Sequence, residues 1–282
     1  MVLSFIALLV VVVFEAVGII LAEFIGTDPN LTVTVSASIG ASLSMLALGA
    51  GASLVPSRPA LRDALRYGWW LLAANGLFAL YDLVAIFVDP EFSLAENWLL
   101  SSLWTLLYCL TVGIHEELAF RGLILGGLLS KFGGTKRGML VSCLVSSLIF
   151  ASAHVDWFSL DYADPMSLVQ ALLKIAQMCI FGLIMAAIVM RTNNMVGPIL
   201  LHALGDFVLL LPSVGLMGIS LEVSYVSGGD DAIPTIVLYL IIIALYQPLL
   251  FFARRLLSTA EPPQYGPLRQ DKATPSPKRI SR

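Results

Sequence analysis

Residues 97–130 read NWLLSSLWTLLYCLTVGIHEELAFRGLILGGLLS, an almost wholly apolar segment interrupted by Glu116, Glu117 and Arg121. About 20 apolar residues are enough for a helix to cross a bilayer. The segment exceeds that length, so we expect one transmembrane helix that tilts, kinks or breaks near Gly113. Its central charges are the feature that any account of the protein must explain.

The remainder of the chain repeats this apolar character. Hydrophobic residues make up 58% of the sequence and charged residues 12%, whereas soluble domains carry about 25% charged residues. The first apolar run has no basic segment before it, which favours a retained helix over a cleaved signal peptide. The sequence therefore predicts an all-α, polytopic transmembrane helical bundle of about eight spans, at residues 1–22, 31–54, 67–88, 97–130, 138–154, 166–190, 196–218 and 233–253.

The segments between these spans differ in charge. Basic residues follow the second, fourth, sixth and eighth spans, and they are Arg58, Arg62, Arg66, Lys131, Lys136, Arg137, Arg191, Arg254 and Arg255. The alternate loops carry acidic charges only. Because Lys and Arg remain cytoplasmic, this pattern predicts that both termini are cytoplasmic. We expect a bundle over residues 1–253, a polar, Pro-rich, disordered cytoplasmic tail over 254–282, and location in a prokaryotic plasma membrane.

Several ionisable side chains lie inside the predicted spans. Each would cost roughly 2.5–3.5 kcal/mol at the centre of a lipid-facing helix, so we expect them to face the bundle interior and to be functional candidates. They are Glu15, Asp82, Glu116, Glu117, Arg121, His154, Lys174, His202 and Asp206. For Glu15, Asp82 and Lys174 the sequence predicts interior polar contacts.

The spacing of these residues brings them into pairs. Glu117 and Arg121 are four apart, which lets them pair on one helix face, while Glu116 is turned by about 100°. The same spacing recurs on two later spans, in Phe150–His154 and His202–Asp206. Three helices can thus contribute polar groups to one site in the bundle core.

This set of residues supports more than one chemistry. A desolvated Glu can act as a general base, one His can orient water, and a second can stabilise an oxyanion. Glu, His and Asp can also bind a divalent metal such as zinc. The zinc-protease pattern H-E-x-x-H fails at His115-Glu116, because residue 119 is Ala119.

Three short motifs match a known family. Residues 116–121 fit E-E-x-x-x-R, residues 150–154 fit F-x-x-x-H, and residues 202–206 fit H-x-x-x-[N/D]. In this order, on successive apolar helices, they resemble the CAAX protease and bacteriocin-processing (CPBP, or Abi) family of intramembrane proteases. The type 2 CAAX prenyl proteases belong to that family. The resemblance covers about residues 97–210.

The resemblance implies a role for each motif residue. Glu116 and His154 would activate water, Glu117 would pair with Arg121 or support Glu116, and His202 and Asp206 would lie on the oxyanion side. The implied catalytic set is Glu116, Glu117, His154, His202 and Asp206, with Arg121 and Phe150 in supporting positions; the metal alternative uses Glu116, His154, His202 and Asp206. An ionised Asp only accepts hydrogen bonds, so Asp206 is either protonated, orients His202 or binds metal.

The resulting hypothesis is an intramembrane endopeptidase that acts on a membrane-embedded or lipidated protein or peptide, prenylated CAAX-type proteins included. Its partners would be this substrate and the lipid bilayer, without nucleic acid. A proton-coupled transporter is an alternative because buried Glu and His also form proton relays, although the chain shows no internal repeat of the kind found in carriers. A non-catalytic scaffold or immunity protein is the other, with the buried groups acting as an ion pair and interhelical hydrogen bonds.

Overall fold

The computed structural model describes residues 1–89, 93–221 and 225–260, and these residues form helices and no strands. The α-helices are α1 (Val2–Ile25), α2 (Pro29–Ala47), α3 (Arg58–Val88), α4 (Trp98–Glu116), α5 (Gly126–Phe132), α6 (Lys136–Ser152), α7 (Pro165–Thr192), α8 (Val196–Leu210) and α9 (Ala232–Thr259). Two π-helices (Glu117–Leu125 and Leu211–Leu216) and two 3-10 turns (Gly51–Leu54 and Gly229–Asp231) complete the secondary structure of the described residues.

The predicted transmembrane bundle is confirmed. Seven helical segments of the described chain are long and apolar enough to cross a membrane. Helix α6 has 17 residues and extends about 25 Å, slightly less than the roughly 30 Å of a hydrocarbon core. It is the short eighth span, and the chain is an integral membrane protein.

Two span boundaries differ from the prediction. Helix α2 ends at Ala47 and not at 54, and α3 begins at Arg58 and not at 67. Three arginines, Arg58, Arg62 and Arg66, therefore lie in the first turns of α3 and not in a loop. Pro59 in the first turn explains the early start, because a helix needs no backbone N–H donor there.

The last helix also runs further than predicted. Helix α9 continues to Thr259, so Arg254 and Arg255 are helical and the boundary placed at 253 is too early. The amphipathic end of α9 buries Leu256 and Leu257, which accounts for the extra turns. Residues 261–282, the main part of the predicted tail, lie outside the described residues.

The irregularity in the fourth span lies later than predicted. The backbone stays α-helical through Gly113 and becomes π-helical at Glu117. Gly113 instead permits close packing, since a Cβ atom there would come within 2.8 Å of the carbonyl oxygen of Ile199 on α8. The glycine thus lets α4 and α8 approach each other, while π-helical turns often mark functional sites.

Helix α7 is the most buried spanning helix among those described. Asp164 caps its N-terminus by accepting hydrogen bonds from the backbone N–H groups of Met166 and Ser167. Its inner face packs into the largest apolar cluster of the described bundle, which also contains Phe150 and Tyr246. Helices α4, α6, α7 and α8 surround the polar residues singled out by the sequence.

Candidate active site

The first π-helix holds a buried ion pair. Arg121 Nη1 donates to Glu117 Oε1 at 2.9 Å, so the pairing predicted from their spacing is present. The same oxygen accepts a hydrogen bond from His202 Nδ1 of α8 at 2.8 Å. Glu117 therefore links its own helix to α8, and both its neighbours stabilise its charge.

Phe150 forms the apolar support of this network. Its ring lies under the Arg121 guanidinium, with Cζ 4.0 Å from the ring centroid, a geometry that favours the cation. The ring also packs against His154 at 4.6 Å and Phe181 at 5.7 Å between centroids. Phe150 thus holds the Arg121 and His154 side chains in place, and contributes no polar chemistry through its side chain.

Glu116 points away from Glu117, as expected, and faces two imidazoles. Its Oε2 atom lies 3.9 Å from His154 Nε2 and 3.7 Å from His202 Nε2. This buried oxygen has no hydrogen-bond partner among the described residues. Since buried polar atoms are nearly always paired, an unpaired acceptor facing two imidazoles is typical of a reactive site.

The two histidines are each held from behind. His154 Nδ1 donates to the carbonyl oxygen of Phe150 at 2.9 Å, because a carbonyl can only accept. His202 is held by Glu117. In both rings Nδ1 is used for orientation and Nε2 is directed towards Glu116.

At 1.5 Å per residue, straight helices would place His202 about 9 Å and His154 about 24 Å from the cytoplasmic edge, so their meeting requires a departure from straight spans. Both imidazoles contact the same carboxylate oxygen. His154 lies just beyond the end of α6, in a turn. Backbone hydrogen bonds from His154 N to Ala151 O and from Val155 N to Ser152 O form this turn. The next turn is held by Asp156, whose pKa is lowered by hydrogen bonds from the Ser159 hydroxyl first and then from the backbone of Phe158.

Asp206 lies beside His202 on the open side of the cluster. Its Oδ2 is 3.3 Å from His202 Nε2. The preceding residue is fixed from α3, because Asn75 donates to the carbonyl oxygen of Gly205 at 3.1 Å. Among the three roles open to Asp206, this contact favours the one in which it orients His202.

Exposure divides the six polar side chains into two groups. The buried group is Glu117 (0% exposed), Arg121 (1%) and His202 (3%). The accessible group is Glu116 (22%), His154 (12%) and Asp206 (33%). A reacting molecule can reach the second group but not Glu117 or Arg121.

A second intramembrane polar contact adjoins the site. His115 Nε2 lies 2.8 Å from Glu15 Oε1 of α1, which gives Glu15 the interior partner expected of it. Asp82 stays partly exposed on α3. The sequence identified both Glu15 and His115 as unusual, but contained no signal that they meet.

The metal alternative does not fit the described residues. No three His, Cys, Asp or Glu side chains among them are arranged to hold a metal ion.

Sequence reasoning missed one element of the site. Tyr225, in the segment after α8, places its ring 5.9 Å from that of His154 and 3.8 Å from the Lys174 ammonium. Gln170 of α7 holds this segment, because its side chain donates to Ser227 O at 2.9 Å and accepts from Ser227 N at 2.8 Å. The segment has no motif or periodicity that could have indicated this.

Comparison with known protein families gives a match over the central part of the chain. Residues 97–208 match the family model described as type II CAAX prenyl endopeptidase Rce1-like. The matched range contains all three motifs. No curated protein and no solved structure matches the chain.

Proposed function

We propose, from the match of residues 97–208 to the model of Rce1-like type II CAAX prenyl endopeptidases, that this protein is an intramembrane endopeptidase in which Glu116 and His154 activate water. The observation that carries the proposal is the unpaired Oε2 of Glu116, which both Nε2 atoms face. A water bound at about 2.8 Å from each of two acceptors can bridge the 3.9 Å between Glu116 Oε2 and His154 Nε2.

The tautomer of His154 supports this arrangement. Because Nδ1 donates to Phe150 O, the neutral ring presents a lone pair at Nε2. A water can then donate one hydrogen to Glu116 and the other to His154. Its oxygen lone pair remains free to attack a peptide carbonyl.

The reaction follows from these positions. The water oxygen bonds to the carbonyl carbon while its proton passes to Glu116, which acts as the general base. Glu116 then gives that proton to the amide nitrogen as the C–N bond breaks. The products are a new carboxyl group and a new amine.

His202 is placed to stabilise the negative charge that forms on the carbonyl oxygen. Glu117 at 2.8 Å and Asp206 at 3.3 Å lie on opposite nitrogens of its ring. An imidazole between two carboxylates can hold both protons, so its Nε2–H can donate to the oxyanion. Asp206 orients this donor, and Glu117 with Arg121 holds it from the buried side without touching the substrate.

The substrate class follows from the position of the site within membrane-spanning helices. We propose a membrane-embedded or lipidated peptide or protein, prenylated CAAX-type proteins included, in a prokaryotic plasma membrane with both termini of the enzyme cytoplasmic. Neither a carrier nor a scaffold requires an unpaired carboxylate oxygen faced by two imidazoles. The endopeptidase is therefore the function that the geometry supports best.

The test compares the wild type with Glu116→Gln and a control, Glu23→Gln, whose carboxylate is exposed on α1. Each purified protein is incubated in detergent with a mixed membrane-peptide library and a farnesylated peptide ending in C-a-a-X. Cut sites are read by mass spectrometry. We expect cleavage by the wild type and the control, and a loss of about 10²–10⁴-fold in Glu116→Gln, with no effect of a chelator.

Three outcomes would contradict this proposal. Equal cleavage by Glu116→Gln and the wild type would remove Glu116 from catalysis. Loss of activity with chelator and recovery with zinc would return the metal alternative. If no peptide is cut although Glu116→Gln folds and abolishes a cellular phenotype, a carrier or scaffold role replaces the endopeptidase.

A further inference from the structure

Lys174 is a buried cation that the proposed reaction does not use. Lys174 lies on the inner face of α7, one turn from Gln170, and is 7% exposed. Its ammonium lies 3.8 Å from the centroid of the Tyr225 ring. A cation–π contact stabilises the charge, but no described residue accepts a hydrogen bond from the three N–H donors of the ammonium.

The contrast with Arg121 shows that this is unusual. Arg121 is similarly buried and lies over the Phe150 ring, yet it also donates to Glu117. In the described part of the chain, Lys174 makes no hydrogen bond or ion pair with a carboxylate. Since buried charges are normally paired, the Lys174 ammonium has the character of a group that awaits an anion.

The ammonium lies next to the proposed catalytic groups. The Tyr225 ring lies 3.8 Å from the Lys174 ammonium and 5.9 Å from the His154 ring, measured to the Tyr225 ring centroid. The negative charges of Asp206 and Glu116 both act on it. The double hydrogen bond between Gln170 and Ser227 fixes the Tyr225 segment against α7, so this geometry is held by the fold.

We propose that Lys174 forms an anionic-group subsite that binds a carboxylate of the substrate, and that it is a specificity-determining residue. This inference rests on the endopeptidase function proposed above. Two sources supply the same chemistry, the C-terminal carboxylate of a peptide cut close to its end and an acidic side chain near the cut bond. Either would accept hydrogen bonds from the ammonium and replace the pairing that the protein does not provide.

The first measurement uses the wild type alone. The first pair of peptides is a farnesylated C-a-a-X peptide prepared as the free acid and as the C-terminal amide. Both peptides of the second pair are C-terminal amides, and they differ in carrying Glu or Gln after the cut bond. We expect one pair to differ by roughly 10- to 100-fold in kcat/KM, mainly through KM, as for a charge-assisted hydrogen bond. The pair that differs identifies the source of the carboxylate.

The second measurement uses Lys174→Met, Lys174→Arg and a matched control, Lys131→Met. Lys131 also lies over an aromatic ring, at 5.2 Å from Phe132, but is exposed. We expect Lys174→Met to lose the preference for the carboxylate, measured as the ratio of kcat/KM for the charged and neutral members of the pair, because any effect on the catalytic groups is common to both peptides. Lys174→Arg should retain part of the preference, and Lys131→Met all of it.

A binding arm separates this inference from the function on which it rests. Fluorescent versions of the same peptides are titrated against Glu116→Gln and against the double variant with Lys174→Met. Tighter binding of the carboxylate form, lost in the double variant, supports the subsite even if the wild type cuts nothing. Equal binding of both forms, no binding, or an equal loss of both forms in the double variant would overturn it and leave Lys174 as a counter-charge for Asp206 and Glu116.

Discussion

The buried and accessible halves of the site are built from the same residue types but have different contacts. In the buried half, Glu117 Oε1 accepts hydrogen bonds from Arg121 and His202. In the accessible half, the nearest basic atoms to Glu116 Oε2 are at 3.7 and 3.9 Å, and the oxygen is unpaired. Glu117 Oε2 also has no partner among the described residues, but only the unpaired oxygen of Glu116 faces two imidazoles. Under the proposed mechanism the two adjacent glutamates therefore have different tasks, with Glu116 reacting and Glu117 holding the helices.

Glu116 and Glu117 differ in their packing and not in residue type. The π-helix that begins at Glu117 turns this side chain towards Arg121 and α8. Glu116, the last residue of α4, faces the imidazoles. In the proposed mechanism, the side of the helix on which each glutamate lies therefore decides its role.

The largest effect is expected when Arg121→Met removes the ion pair of the buried half. Removing one partner of a buried ion pair leaves an uncompensated charge, so we expect a loss of about 3–5 kcal/mol in the free energy of unfolding. The double variant Glu117→Gln/Arg121→Met should recover much of that loss. Unfolding by detergent titration measures both, with Glu116→Gln as a control that should stay close to wild type in stability.

If Arg121→Met instead unfolded like the wild type and lost only activity, the division of the site into a buried and an accessible half would be wrong. Arg121 would then belong to the reacting half. A double variant no more stable than Arg121→Met would show that the buried charge of Glu117 is not the source of the cost.

A smaller effect is expected where α4 and α8 approach each other. Gly113→Val places side-chain atoms against Ile199 O and Ala203, and overpacking of this kind costs about 1–3 kcal/mol. Because His202 is on α8, the same change should lengthen its bond to Glu117 and lower kcat. Gly76→Val, at a helical glycine with open space around it, is the matched control, and unchanged activity in Gly113→Val would contradict the close-packing argument.

The smallest effect on activity is expected from a change at Asp206, in the accessible half of the site. Asp206→Asn keeps an acceptor for His202 but removes the charge, so we expect activity to fall by roughly tenfold, the difference between a charged and a neutral hydrogen bond. Protein stability should be nearly unchanged. An increase in kcat would show that residue 206 serves as a donor to the oxyanion and does not orient His202.

The sequence predicted much of the fold, since apolar length and charge placement decide it. It also predicted the Glu117–Arg121 pair, because local helical spacing determines such contacts. It could not predict that His154 and His202 meet at one oxygen, because that depends on a turn after α6 and on the close approach at Gly113. The π-helix could not be predicted for a similar reason, because the apolar pattern does not indicate the register of backbone hydrogen bonds.

Contacts between distant segments also could not be predicted from the sequence. Glu15, His115 and Lys174 were each recognisable as polar residues in apolar surroundings. Their partners lie on other elements, on α1 for His115 and in the segment after α8 for Lys174. Composition identifies such residues, but only the packing of the helices assigns their neighbours.

The local nature of the Glu117–Arg121 pair has a consequence for biosynthesis. His202 is 85 residues further along the chain than Glu117, and at 5–20 residues per second it is synthesised roughly 4–17 s later. During that interval the helix carrying Glu117 must enter the bilayer without its partner from α8, at the cost of an intramembrane charge. Arg121 comes from the same helix, so the nascent segment brings its own counter-ion and inserts with that charge already compensated.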